Sequence, residues 1–276
     1  MNILVANDDG IQARGIHELV KALHESAGAD VYVFAPDGQR SAASHAISLR
    51  GTMDVWQEEF EGARLAFAVT GTPADCVAVG LKVLGDMGIE IDLVFTGINH
   101  GSNVGTDTIY SGTVGSAMEG SVLGYPSAAV SVDSHHATNF EYACRLAVDT
   151  IVKTGGSWDP KLMININTPD VPAEEIKGVK YTVIGEREYT NDIQFVKEAD
   201  GVTTYKYGGE AVHYEGRPDI YDVIAIQEGY ASISLLQSDM TAYGADGRAG
   251  CGDAGRAGCG DAGPVPGLLE EWRIGK

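Results

Sequence analysis

Two adjacent carboxylates, Asp8 and Asp9, stand directly after the apolar run Ile3-Leu-Val-Ala6, in the turn Asn7-Asp-Asp-Gly10. A run this short, ended by a turn cluster, reads as a strand buried on both faces of a parallel sheet. Ligand sites of open parallel sheets lie outside the carboxyl ends of the strands, so this strand delivers both carboxylates to the edge where such proteins bind and react. Neighbouring side chains on a strand point to opposite faces. The pair converges on one point only if the chain turns there, which Gly10 permits. Two carboxylates at one point repel unless one takes a proton or a cation lies between them. The alternative is a solvated Asx-type turn without function, and how the later strands end decides between the two.

Three further polar segments sit at or beside strand ends. Arg40-Ser41 lies in the turn-rich stretch after Asp30-Val-Tyr-Val-Phe-Ala-Pro36. Gly97-Ile-Asn-His-Gly-Ser-Asn-Val-Gly105, with Asn99 and Asn103, follows the apolar strand Ile91–Gly97. Ser111-Gly112-Thr113 then opens a helix rich in small residues, where backbone N–H groups and hydroxyls suit a phosphate; the plain alternative is a helix cap. The donors are carboxylate, hydroxyl and amide oxygens, without cysteine or a well-placed histidine. His135-His136, His17, His24 and His213 read as solvated, and no HExxH spacing exists. Such oxygens suit a hard divalent cation, Mg²⁺ or Mn²⁺, and a metal beside a phosphate site implies metal-assisted phosphoryl hydrolysis.

The elements that must position these groups alternate between strand and helix. Ile16, Leu19, Val20 and Leu23 recur at helical spacing after the first strand, and Asp30–Pro36 completes a β-α-β unit. Met53–Phe60 and Arg64–Val69 read as a strand pair. Gly71-Thr-Pro-Ala-Asp75 starts a helix with a capping box, whose N-terminus could equally hold an anion. Further strands are expected at Pro126–Val132 and Lys161–Asn167, with an amphipathic helix between them from Phe140 to Thr154. This is an α/β chain. After Pro169 its character changes: Val179–Ile184, Gly201–Tyr207, Asp222–Gln227 and Ala231–Leu236 read as strands of an antiparallel appendage. From Arg248 to Gly263 the octamer Arg-Ala-Gly-Cys-Gly-Asp-Ala-Gly occurs twice, a composition that reads as a tether, and Leu268–Trp272 as a short amphipathic end. The expected division is therefore a catalytic domain over 1–169, a β-rich oligomerisation appendage over 170–243 and a Gly/Ala-rich tail over 244–276.

The 276 residues carry 39 acidic and 19 basic side chains, a formal net charge of −20. That field disfavours nucleic acid and anionic membranes as partners, because both depend on Lys/Arg neutralisation. An anionic small substrate remains compatible if a metal supplies local positive charge. No apolar stretch approaches a membrane span, the N-terminus lacks the basic region of a signal peptide, and the four cysteines lack zinc or redox spacing, so the expected compartment is the cytoplasm.

Taken together, Ile3-Leu-Val-Ala-Asn-Asp-Asp-Gly-Ile11, Ala35-Pro-Asp-Gly-Gln-Arg-Ser41, Thr70-Gly-Thr-Pro-Ala-Asp-Cys76, Gly97–Gly105 and Tyr110-Ser-Gly-Thr-Val-Gly-Ser-Ala-Met-Glu-Gly120 resemble the SurE family of survival proteins, metal-dependent nucleoside monophosphate phosphatases. Order and spacing match over residues 1 to about 241. The resemblance implies a Rossmann-like three-layer α/β/α domain with a mostly parallel sheet, and a smaller C-terminal part exchanged between protomers of a homodimer or homotetramer. It implies one divalent metal ion per subunit held by Asp8, Asp9, Ser41 and Asn99, with Asp8 catalytic. Asn103, Ser111, Gly112 and Thr113 remain as phosphate or substrate contacts. The substrate would be a nucleoside monophosphate, a 5′- or also a 3′-nucleotide, or another small phosphate ester. Two features depart from the family: Gly229–Leu236 lacks its usual Thr-Pro, and the glycine repeat is foreign to it.

Other readings compete. A dinucleotide dehydrogenase would need G-x-G-x-x-G after the first strand, which Asn7–Gly15 is not. A phosphatase with Asp8 as covalent nucleophile, forming an aspartyl-phosphate, also places Asp after a first strand. A non-catalytic nucleotide- or metal-binding module would carry the same donors without turnover.

Overall fold

A computed structural model describes residues 1–190, 193–213 and 218–240; the tail assigned to 244–276, with its repeat and its amphipathic end, lies outside the described residues. The strands are β1 (Asn2–Ala6), β2 (Asp30–Pro36), β3 (Val55–Glu58), β4 (Ala63–Val69), β5 (Leu93–His100), β6 (Ser127–Asp133), β7 (Met163–Pro169), β8 (Val179–Thr182), β9 (Tyr189–Thr190), β10 (Ile193–Ala199), β11 (Val202–Tyr207), β12 (Glu210–Ala211) and β13 (Ala231–Leu236). The helices are α1 (Arg14–Ala27), α2 (Pro73–Asp86), α3 (Gly112–Val122), α4 (Glu141–Thr154) and α5 (Asp222–Gln227).

Nine strands form one sheet in the order β3-β4-β2-β1-β5-β6-β7-β13-β8. From β4 to β7 every neighbour is parallel, while β3 runs antiparallel to β4 and β13 antiparallel to β7. Alternation along β1 sets the layers. Ile3 and Val5 pack with Ile16, Leu19 and Leu23 of α1 and Leu146 of α4, whereas Leu4 and Ala6 pack with Cys76, Val77 and Leu84 of α2. Each such fully buried aliphatic side chain stabilises the fold by about 1.5–3 kcal/mol. Val114 and Ala117 of α3 cover Ala129 and Met163 on the α2 side. The expected three-layer α/β/α architecture is therefore present.

The chain steps from β1 to β2 and β4 on one side, then returns to place β5 on the other side of β1. The gap beyond the carboxyl ends of β1 and β5 is the topological switch point of the sheet, where the diverging connections leave a crevice.

Two expectations change. The strand expected to stop at Gly97 runs on to His100, with a register shift between Thr96 and Asn99 that turns Asn99 alongside Ser131 and His100 alongside Val132. Asp222–Gln227 is a helix, α5, not a strand. Its β-branched residues favour β structure in isolation, but the segment packs on β13, β8 and β7 as a helix with Ile224, Ala225 and Ile226 all buried. Beyond β7 the sheet continues through β13 and β8. Among the described residues of the region 170–243, β10–β11 and β9–β12 stand as separate small antiparallel pairs.

Candidate active site

At the end of β1 the chain turns through Asn7, whose side-chain amide donates to the Gly10 carbonyl at 2.8 Å. Gly10 takes φ +98°, a conformation that only glycine adopts without strain, and a Cβ there would lie 3.1 Å from Gly38. The loop after β2 is clipped to this turn: Arg40 N–H donates to the Asp8 carbonyl at 2.7 Å and Ile11 N–H to the Pro36 carbonyl at 2.8 Å. Gly15 lets the start of α1 lie directly under β5, for a Cβ would fall 1.9 Å from the Ile98 carbonyl oxygen. Glycines here set how close the three strand ends approach.

The two carboxylates take separate partners. Asp8, 5% exposed, points to the α3 side, where the Thr113 hydroxyl donates to its Oδ1 at 2.5 Å. Its Oδ2 faces Gly112, at which a Cβ would lie only 2.8 Å away. Asp9 turns toward the end of β5: its Oδ2 accepts from both the backbone N–H and Nδ1 of His100, each at 3.0 Å. Burial raises the Asp8 carboxyl to about 6; the Thr113 hydrogen bond opposes this, and the neighbouring Asp9 charge adds to it. His100 is raised, chiefly by its hydrogen bond to Asp9. Asn99, half-buried, donates its amide N–H to the Gly101 carbonyl at 2.8 Å, which leaves its Oδ1 as an oxygen donor. Ser41 is exposed and follows directly on Arg40, the residue tied to Asp8.

The residues expected to contact phosphate divide. The Ser111 hydroxyl caps α3 by accepting from Val114 N–H at 3.0 Å. Thr113 is fully buried and its hydroxyl serves Asp8. Asn103 pins its loop to the sheet: its side-chain amide donates to Ser131 Oγ at 2.8 Å, its N–H to Asn167 Oδ1 at 2.7 Å, and its carbonyl accepts from Asn165 at 2.9 Å. What α3 presents beside Asp8 is its first turn at Gly112, whose N–H groups have no partner within the helix. At α2 the N-terminus carries the expected capping box between Thr72 and Asp75. The Asp75 carboxylate also accepts from the N–H and hydroxyl of Ser48, at 3.0 and 2.6 Å, so a carboxylate of the chain itself sits where an anion would. His100 went unweighed in the sequence. The available signal was its place beside Asn99, but only the longer β5 brings it to Asp9.

These donors fit a hard cation. Asp8, Asp9, Asn99 and the neighbouring Ser41 offer oxygen only, and a cation would favour the ionised form of a carboxyl that burial holds near neutrality. Among the described residues no group of three or more His, Cys, Asp or Glu side chains is placed to hold a metal, so amide and hydroxyl oxygens would have to complete the two carboxylates.

The family model of the survival protein SurE matches residues 3–191, the span that contains all of these groups. The chain belongs to the SurE family. The 5′-nucleotidase SurE of Syntrophomonas wolfei is 40% identical over 248 residues, which cover 88% of this chain and 91% of that protein. The 5′/3′-nucleotidase SurE of Citrobacter koseri is 39% identical over 252 residues, covering 89% and 93%. The crystal structure of the SurE protein from Aquifex aeolicus superposes with a TM-score of 0.74 at 34% identity, covering 87% of this chain and 95% of that one.

Proposed function

We propose that the chain is a metal-dependent phosphatase that hydrolyses nucleoside monophosphates, 5′-nucleotides and also 3′-nucleotides, to nucleoside and phosphate. One juxtaposition carries the reading: the buried Asp8 carboxylate lies against Gly112 in the first turn of α3. A group that favours a cation and a helix end that favours an anion thus share one wall at the switch point. The similarity to proteins named 5′-nucleotidase and 5′/3′-nucleotidase SurE supports the substrate class.

In this reading Asp8, Asp9, Ser41 and Asn99 hold one Mg²⁺ or Mn²⁺ per subunit. When bound, the ion supplies polarisation of phosphate oxygen and acidification of water. The chain's own part is positional. Thr113 fixes Asp8, the N–H groups at Gly112 and Thr113 receive phosphate oxygens, and Asn103 holds the Gly101–Gly105 loop against β6 and β7. A homodimer or homotetramer is supported by β10–β11, which leaves Ile193, Phe195, Val202 and Tyr205 all more than half exposed on a two-stranded ribbon. Among the described residues no helix is long and apolar enough to cross a membrane; the free thiols of Cys76 and Cys144 and the net charge of −20 support the cytoplasm and disfavour nucleic-acid and membrane partners.

The deciding experiment is phosphate release from a panel of nucleoside 5′- and 3′-monophosphates with Mn²⁺, with Mg²⁺ and with chelator. Turnover that requires metal and prefers nucleotides is expected. Turnover indifferent to chelator, or none, would refute the assignment. Capture of a phospho-enzyme at Asp8 would instead favour the covalent aspartyl-phosphate route.

A further inference from the structure

We propose that His100 is a positioning residue for Asp9: its backbone N–H and its imidazole Nδ1 together fix one carboxylate oxygen, so that the other is presented toward the cation site. The proposal rests on the metal reading above for its functional consequence, but not for its geometry.

Both donors act on the same atom, Asp9 Oδ2, each at 3.0 Å. The two hydrogen bonds come from one residue and meet at one oxygen, so they restrict rotation of the carboxylate, where a single bond would leave it free to turn. The N–H is itself held, because His100 is the last residue of β5 and pairs with Val132 of β6. The ring is held from its other side. It meets the buried ring of Phe140 edge to face, with centroids 5.5 Å apart at 76°, and the Arg14 guanidinium lies 5.2 Å over the same Phe140 ring. Backbone pairing and aromatic packing therefore lock the imidazole before it bonds to Asp9. The Asp9 side chain is only 11% exposed, so water replaces a lost donor poorly. Because a carboxylate oxygen accepts, Nδ1 must carry the proton. Groups that orient a metal-binding side chain from outside typically change metal affinity about 10- to 100-fold when removed.

Isosteric substitution separates positioning from packing. The side-chain N–H of asparagine lies where Nδ1 of histidine lies, whereas that of glutamine reaches toward Nε2. Mn²⁺ binding is measured by calorimetry on the full chain and on His100→Asn, His100→Gln and His100→Ala, with circular dichroism as the check on folding. Expected is a loss of about 10- to 100-fold in affinity for the alanine and glutamine variants and recovery to within about threefold for asparagine. Equal loss in all three would assign His100 to packing on Phe140 and overturn the proposal, as would wild-type affinity in His100→Ala. A second measurement needs no metal: the ¹⁵N shifts of the His100 ring in the chelated protein should show Nδ1 protonated. A ring protonated at Nε2 alone overturns the positioning role. A correctly protonated Nδ1 in a wild-type protein that binds no Mn²⁺ would instead refute the metal reading and leave the geometry standing.

Discussion

Replacing Asp8 by Asn should make the metal-free protein more stable, although it removes a group at the centre of the site. The Asp8 carboxyl is raised from its ordinary 3.8 to about 6, first by burial and further by the Asp9 charge, against the opposing Thr113 hydrogen bond. Between those two values the folded protein keeps a proton that the unfolded chain has released. Stability therefore falls as pH rises from about 3.8 to 6 and stays at the lower level above it. At 1.36 kcal/mol per pH unit the difference amounts to about 3 kcal/mol at pH 8. Asparagine carries no charge to bury, and its Oδ1 can still accept from Thr113. Urea unfolding in chelator at fixed protein concentration should thus show Asp8→Asn ahead by up to about 3 kcal/mol at pH 8, and by about half that at pH 5. With saturating Mn²⁺ the order should reverse, because binding to the folded state stabilises only a protein that still holds the ion. Turnover should fall by orders of magnitude throughout. A variant less stable than wild type at pH 8 without metal, or a gap that ignores pH, would refute this account of Asp8.

Thr113→Val removes the hydroxyl that bonds Asp8 Oδ1, so calorimetry should show Mn²⁺ binding weakened about tenfold, with Thr113→Ser restoring it. Gly112→Ala brings a methyl to 2.8 Å from Asp8 Oδ2, and displacing that carboxylate by a few tenths of an ångström should lower kcat/KM about 10- to 100-fold, read by steady-state kinetics. In Gly15→Ala the clash is with backbone, the Ile98 carbonyl at 1.9 Å, so denaturation should show a loss of about 1–3 kcal/mol or more and the end of β5 should shift. A chain ending at Tyr243 should keep wild-type kcat/KM, a test of the tether assignment for the repeat that light scattering extends to oligomer size.

Much of this was legible along the chain because the physics concerned is local. A short apolar run stopped by Asn-Asp-Asp-Gly reads as a buried strand delivering carboxylates to a sheet edge, and Thr72-Pro-Ala-Asp75 satisfies the donors of its own helix end. Periodicity also exposed the α/β alternation and the faces of α1 and α4. The C-terminal third was less legible. Val223, Ile224 and Ile226 prefer strands in isolation, and only packing on β13, β8 and β7 makes a helix of them. The partners of the site were not written locally either. Thr113 and Asp8 lie 105 positions apart, His100 and Asp9 lie 91, and spacing cannot say which hydroxyl or ring arrives at which carboxylate. The sequence by itself determined that oxygen donors gather at strand ends, because strand termination and turn chemistry are short-range. Tertiary structure alone decided that the Thr113 hydroxyl donates to Asp8, that His100 holds Asp9, and that burial more than mutual repulsion raises the Asp8 carboxyl. Those outcomes depend on how closely β1, β5 and α3 approach, a distance set by the glycines between them.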